Sequence, residues 1–267
     1  MNLETVIYEV KDNIAKITMN RPDKKNALNH ALWDDLIAAF DYADNDQEAR
    51  VVILCGAGSA FCSGWDLKES YYVNTPAGYD RWTTGNALKT LRGLSQGYLK
   101  IMDLSKPVIA QVHGYCLAAG CYLEMLCDVA VAAEDAIFGH PATQSGGVDS
   151  MPLWVTYLGL RKAKELFMTR RFVDGKEAER IGLVNKAVPA DKLEEEVWEM
   201  AKLMAEVPPD GMMIMKEAFN THAEIMGRGA VFTYHRQLNA LGRVGRAGTV
   251  HDLDKLREQS RGKQAQS

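Results

Sequence analysis

The stretch PVIAQVHGYCLAAGCYLEMLCDVAVAA, Pro107 to Ala133, constrains the fold more than any other. Pro107 to Val112 is apolar and β-branched, and reads as a buried strand. A turn follows at His113-Gly114-Tyr115, then a short apolar helix from about Leu117 to Leu126, then a second strand from Val129 to Ala132. Strands joined through a helix pair in parallel, whereas a tight hairpin joins antiparallel ones. The expected class is α/β, built on parallel β-α-β units, with ligands at the loops beyond the strand ends.

The rest of the chain agrees. Val6–Val10 and Ile14–Met19 flank the turn-forming Lys11-Asp12-Asn13 and predict a hairpin. After the Arg21-Pro22 break, Asn29 is the expected N-cap of a helix with Leu32, Trp33, Leu36, Ile37 and Phe40 on one face. Val51-Val52-Ile53-Leu54 is another buried strand, running into the loop GAGSAFCSGWDLKES. Asn74 to Asp103 reads as helical, and so does most of the chain beyond Met151. There Asp191 is the expected cap of a helix carrying Leu193, Val197, Met200, Ala201 and Met204, ended by Pro208-Pro209. The polar end, Arg257 to Ser267, is expected to fray.

Composition narrows the function. With 267 residues, 47% hydrophobic and 25% charged, the chain can bury one main core with a helical extension. Net charge is −4, and no Lys/Arg run is dense enough to track a phosphate backbone, which argues against nucleic acid as a partner. No window reaches 18 consecutive apolar residues, so no membrane span is expected. Five cysteines without framework spacing, and an N-terminus without a signal-peptide pattern, fit a reducing, cytoplasmic setting and small-molecule chemistry.

Two small-residue turns then matter together: Gly56–Ser70 and Gly114–Gly120. Either alone reads as a tight β-α connection. Free amides at a helix N-terminus also bind a negative oxygen, and two such turns can aim two amides at one oxygen.

The motifs NRPDKKNAL (Asn20–Leu28), AFCSGWDLKE (Ala60–Glu69), KPVIAQVHGYCLAAGCYLEMLCD (Lys106–Asp128), AIFGHP (Ala136–Pro141) and AERIGLVNKAVP (Ala178–Pro189) resemble the enoyl-CoA hydratase/isomerase (crotonase) family. The resemblance implies a crotonase spiral of ββα units over residues 1–200. It also implies a helical region, 201–267, for trimerisation and pocket capping. Trimers or dimers of trimers, a coenzyme A thioester substrate and no separate cofactor or metal are implied as well. By position, the oxyanion hole would use the backbone amides of Trp65 and Ala119, the latter commonly glycine in relatives, so that its methyl would narrow the pocket. Lys25, Cys62, Ser63, Asp66 and Lys68 match places where relatives meet coenzyme A, and Trp65, Ala142 and Tyr234 would border the acyl group.

Family hydratases use two glutamates, at positions that here hold Tyr122 and Ala142. Glu124 is no substitute, since two residues along a helix is about 200° of rotation. Glu134 reads as part of a solvated turn. The leading acid/base candidate is Asp149, ten residues beyond Gly139, where naphthoate synthases and ring-opening ketoacyl-CoA hydrolases carry an aspartate. The match is partial: Gly147 replaces a serine, and Leu241 falls where naphthoate synthases have a tyrosine. A lone Asp after Gly-Gly is otherwise a turn residue or cap. Tyr122 is the next candidate, as a phenol donating to a substrate oxygen or as a half-buried aromatic. His140 is either a proton shuttle or a satisfied loop histidine. Cys62, Cys116, Cys121 and Cys127 lack metal-ligand spacing. Asp66 reads as fixing its loop, and Phe232, Tyr234 and His235 as packing or as a cap on a neighbour's pocket. The favoured chemistry is carbon–carbon bond cleavage or formation at a β-keto or cyclic acyl-CoA. A hydratase or isomerase with atypical acid/base residues and a catalytically silent acyl-CoA binder are the alternatives.

Overall fold

A computed structural model describes residues 3–71, 74–141 and 153–246. β1 (Val6–Lys11) and β2 (Ile14–Met19) form the expected hairpin, in register from Val6 opposite Met19 to Lys11 opposite Ile14. Asp12 and Asn13 both take positive φ, 53° and 61°, as a two-residue hairpin turn requires and short polar side chains tolerate. From β2 onward the main sheet is parallel. Its order is β1-β2-β3-β4-β6-β9, with β3 Val51–Gly56, β4 Val108–Val112, β6 Val129–Ala133 and β9 Lys186–Val188. β5 (Tyr115–Leu117), β7 (Ile137–Gly139) and β8 (Val173–Asp174) form a second, smaller sheet.

The first helix, α1 (His30–Asn45), starts where its cap predicts, with Asn29 Oδ1 accepting the Leu32 amide at 2.9 Å. It buries Leu32, Trp33, Leu36 and Phe40 against the sheet. The helix read from Asn74 begins only at Thr84. α2 (Thr84–Met102) opens on a capping box in which Thr83 and Asn86 satisfy each other's amides. Before it, Pro76 and positive-φ Gly78 keep the chain irregular.

The pivotal helix is α3 (Ala119–Leu126), every residue of which is buried. Its expected start near Leu117 is corrected, because Tyr115–Leu117 pairs with β7 as strand β5. The remaining helices are α4 (Leu153–Thr169, kinked at Gly159), α5 (Gly175–Arg180), α6 (Leu193–Glu206), α7 (Pro209–Ile225) and α8 (Arg228–Arg246). Asp191 is not the cap of α6. It lies in a preceding 3-10 turn, Ala190–Lys192. Pro209 starts α7 rather than only ending α6, as a proline at the first helical position can. Residue 200 lies within α6, and Val207-Pro208 separates α6 from α7. α8 packs back on α2, burying Phe232 and Ala240, while Arg243 lies 4.7 Å from the Trp82 ring. None of the described helices is long and apolar enough to cross a membrane.

Candidate active site

Two loops are tied together beside the N-terminus of α3. The first leaves β3, and buried Asn26 braces it, donating to Ala57 O at 2.9 Å and Ala60 O at 2.7 Å. The Cys62 amide donates to Tyr115 O at 3.0 Å, and the Leu117 amide returns to Cys62 O at 2.9 Å. The Ala118 amide donates to Gly139 O at 2.9 Å, so the second loop also holds the end of β7. The approach is close enough to demand glycine: a β-carbon at Gly120 would lie 2.2 Å from Cys62 O. One built on Gly64 would lie 3.4 Å from the Ala119 nitrogen. With the loops so placed, neither the Trp65 nor the Ala119 amide has an acceptor among the described residues. Two unused N–H groups, that of Ala119 at the start of α3 and that of Trp65 in the first loop, suit a negative oxygen.

Two methyl groups, those of Ala118 and Ala119, stand at this turn. Ala119 is fully buried, whereas Ala118 is partly exposed with its β-carbon against Gly64. Ala118 also takes φ 51° and ψ −113°, a conformation that costs a non-glycine residue about 1–3 kcal/mol. The strain lies one residue before the Ala119 amide.

Tyr122 and His140, read separately from the sequence, form one pair. Tyr122 Oη lies 2.6 Å from His140 Nε2, and the rings stack with centroids 5.6 Å apart. Burial pushes the imidazole down to about 4, so it is neutral at physiological pH. A neutral ring with its hydrogen on Nδ1 accepts the phenol's proton at Nε2. Around them stand rings that sequence reasoning missed: Tyr98 edge-on to Tyr122, Phe167 beside His140 and Trp154 against Phe167. Only the helical spacing Leu91, Leu94, Tyr98, Ile101 hinted that Tyr98 faces inward.

Glu124 lies about 200° round α3 from Tyr122. It is 2% exposed, and its Oε2 meets no partner among the described residues. Burial, with a smaller contribution from Cys121, raises its carboxyl well above the usual range. The folded state therefore holds a proton that the unfolded chain releases, and stability falls as pH rises above the ordinary carboxyl range. Glu124→Gln is expected to gain stability over the parent as pH rises from 5 to 8, on the order of 1 kcal/mol per pH unit at most. Urea unfolding at a series of pH values checks this, and parallel curves for the two proteins refute it.

The other candidates divide. Asp66 fixes its loop, accepting the Lys68 and Glu69 amides and facing Arg21 at 3.4 Å. Burial alone would raise its carboxyl, but these partners hold it below the usual range. Cys62, placed among coenzyme A contacts, has an inaccessible thiol that burial pushes up to about 12, so it shapes the loop from inside. Ser63 is half-buried, and Lys25 and Lys68 are exposed, with Lys25 Nζ 4.2 Å from the Tyr115 ring. The Trp65 ring packs on Trp33 at 5.4 Å. Glu134 pairs with Lys176 at 2.8 Å. Tyr234 is 60% exposed on α8 while Phe232 is buried, so the two face different ways. Asp149 and Ala142 lie outside the described residues. Among the described residues no cluster of His, Cys, Asp or Glu could hold a metal ion.

A family model described as Enoyl-CoA hydratase/isomerase matches residues 9–240. The chain belongs to the enoyl-CoA hydratase/isomerase family. It is 35% identical over 228 residues to a protein of Rhizobium meliloti (strain 1021) named "Probable enoyl-CoA hydratase", covering 84% of each. It is 33% identical over 225 residues to "Probable enoyl-CoA hydratase echA8" of Mycobacterium tuberculosis (strain CDC 1551 / Oshkosh), covering 82% of each. The crystal structure of a probable enoyl-CoA hydratase from Mycobacterium smegmatis superposes with TM-score 0.84 at 32% identity, over 92% of this chain and 96% of that one. One from Mycobacterium thermoresistibile gives 0.83 at 31% identity, over 92% and 99%. The fold is thus the crotonase fold that the motifs implied. The part shared with the enoyl-CoA hydratase/isomerase family model takes in both loops, the Tyr122–His140 pair and α8 as far as Ala240.

Proposed function

We propose that the chain is an acyl-CoA thioester-transforming enzyme. In this reading the Trp65 and Ala119 amides hold the enolate or oxyanion, and the Tyr122–His140 pair with Asp149 replaces a glutamate pair. The observation that carries it is the 2.6 Å Tyr122 Oη–His140 Nε2 hydrogen bond, which puts a phenol–imidazole pair where family hydratases carry the first glutamate. Two preorganised donors favour the charged intermediate, and one such donor is typically worth about 2.7–4 kcal/mol. The neutral pair can donate to a substrate oxygen or pass a proton, while a carboxylate at position 149 takes the proton from carbon. Half-buried Ser63 and exposed Lys68 on the first loop, with exposed Lys25 on the turn beside it, are suited to the coenzyme A portion.

That set favours carbon–carbon bond cleavage or formation on a β-keto or cyclic acyl-CoA over hydration. The second reading, a hydratase or isomerase with unusual acid/base groups, is supported by the names of the relatives. Trimers, alone or paired, are supported by apolar side chains left open on α7 and beyond it, Ile214, Phe219 and Ile225 among them, and such contacts would bring Tyr234 to a neighbour's pocket. A panel of crotonyl-CoA and 2-ketocycloalkyl-CoA thioesters tests the assignment. Turnover of the cyclic β-keto compounds, lost in Asp149→Ala, is expected. Rapid hydration of crotonyl-CoA that survives Asp149→Ala would sink it.

A further inference from the structure

Between α1 and α2 lies a groove that the chemistry above leaves unused. It measures about 400 Å³, the size of a small-molecule site, and its apolar lining includes Trp33, Ile37, Gly93 and Gly97. The acidic groups at its edge are already engaged: Asp41 pairs with Lys100, and Asp34 accepts the Tyr71 hydroxyl at 2.8 Å. Such a groove suits a neutral, apolar occupant rather than an ion. Its floor is also joined to the rings around the site. Trp33 is 5% exposed, and its indole comes so near α2 that a β-carbon at Gly97 would lie 2.5 Å from Cζ2. The same indole packs on the Trp65 ring at 5.4 Å and meets the Tyr98 ring edge-on at 5.2 Å, and Tyr98 in turn meets Tyr122 at 6.3 Å. Trp33 and Tyr98 thus bridge the two residues assigned to the thioester, Trp65 and Tyr122. Of these four rings, Trp33 is the one that also lines the groove.

We propose that Trp33 sets the length of the acyl group. Its indole closes the acyl site toward the groove, so the enzyme takes compact acyl groups, and a smaller side chain at this position lets the end of a longer alkyl chain pass into the groove. The proposal rests on the acyl-CoA reading above and makes its substrate more specific. Trp33 determines specificity here and takes no part in proton transfer. The groove would reward an alkyl chain that reached it, since each buried methylene adds roughly fourfold in affinity.

Affinity by calorimetry and α-proton exchange in D2O, over straight-chain thioesters from butyryl-CoA to decanoyl-CoA, test it. The parent is expected to bind decanoyl-CoA about tenfold or more weakly than butyryl-CoA, the cost of overfilling a closed site. Equal affinity overturns the proposal without any variant having to fold. Trp33→Leu, which keeps an apolar side chain in the core, is expected to tighten decanoyl-CoA about tenfold or more while butyryl-CoA stays within about threefold. Trp33→Phe, a milder change, should move the same way by less. A β-carbon added at Gly93 meets no atom within 4 Å, so Gly93→Phe can fill the groove from outside, and combined with Trp33→Leu it is expected to abolish the gain. If neither Trp33 variant gains, or the gain survives Gly93→Phe, the proposal alone is overturned, provided the parent exchanges the α-proton of butyryl-CoA. If the parent exchanges none of the series, the underlying reading falls and the proposal with it.

Discussion

Tyr122→Phe is expected to lower kcat by about 100-fold or more while KM for the acyl-CoA stays within a few-fold, the signature of an interaction made in the transition state. Phenylalanine fills the same buried volume and keeps the edge-to-face contact with Tyr98, so the site should not collapse. The loss includes the 2.6 Å bond between Oη and His140 Nε2, and a hydrogen bond is typically worth about 1 kcal/mol of stability. The pH profile adds a second constraint. Because burial holds His140 at about 4, the ring is neutral above that value, and protonation of His140 should not depress kcat/KM until pH falls toward 4. Full activity in Tyr122→Phe at saturating substrate would remove the pair from the chemistry.

Gly120→Ala is the other large expected effect. Its β-carbon would lie 2.2 Å from Cys62 O, a backbone atom that already accepts the Leu117 amide and cannot swing aside like a side chain. Either α3 or the Cys62 loop must move, and the Trp65 and Ala119 amides then no longer share one target. We expect kcat to fall about 100- to 1,000-fold, the cost of one misaligned oxyanion donor, together with about 1–3 kcal/mol of stability. Gly85→Ala and Gly93→Ala, in α2 with no atom near the added methyl, are the controls, and should stabilise by about 0.5–1 kcal/mol. Equal behaviour of the three variants in both kinetics and melting would contradict the tight-approach account.

Much of the fold was legible because its signals are local. Asp12-Asn13 made a turn, Asn29 capped a helix, and the apolar run at Val51–Leu54 could only be an interior strand. The boundaries that slipped were set by competing local chemistry: Thr83 and Asn86 fixed a helix start that periodicity had put ten residues earlier. The site was legible only in part. The two turns that meet beside α3 could be read because glycine and alanine advertise close approach. The Tyr122–His140 pair could not, since eighteen residues separate them and their meeting depends on register. β5 pairs with β7 so that Leu117 stands opposite Gly139. That places His140, one residue past the strand, beside the first turn of α3. A slip of one residue would have turned the imidazole away.

The contact between Trp33 and Trp65 carries an optical consequence. Two indoles with centroids 5.4 Å apart and planes inclined at 54° are near enough for their excited states to couple. One of them belongs to the residue whose amide is assigned to the thioester oxygen, while the other is fixed in α1. A ligand that draws on the Trp65 backbone therefore perturbs a built-in chromophore pair, so occupancy of the site can be followed by near-ultraviolet circular dichroism on the unlabelled protein, before any reaction is known.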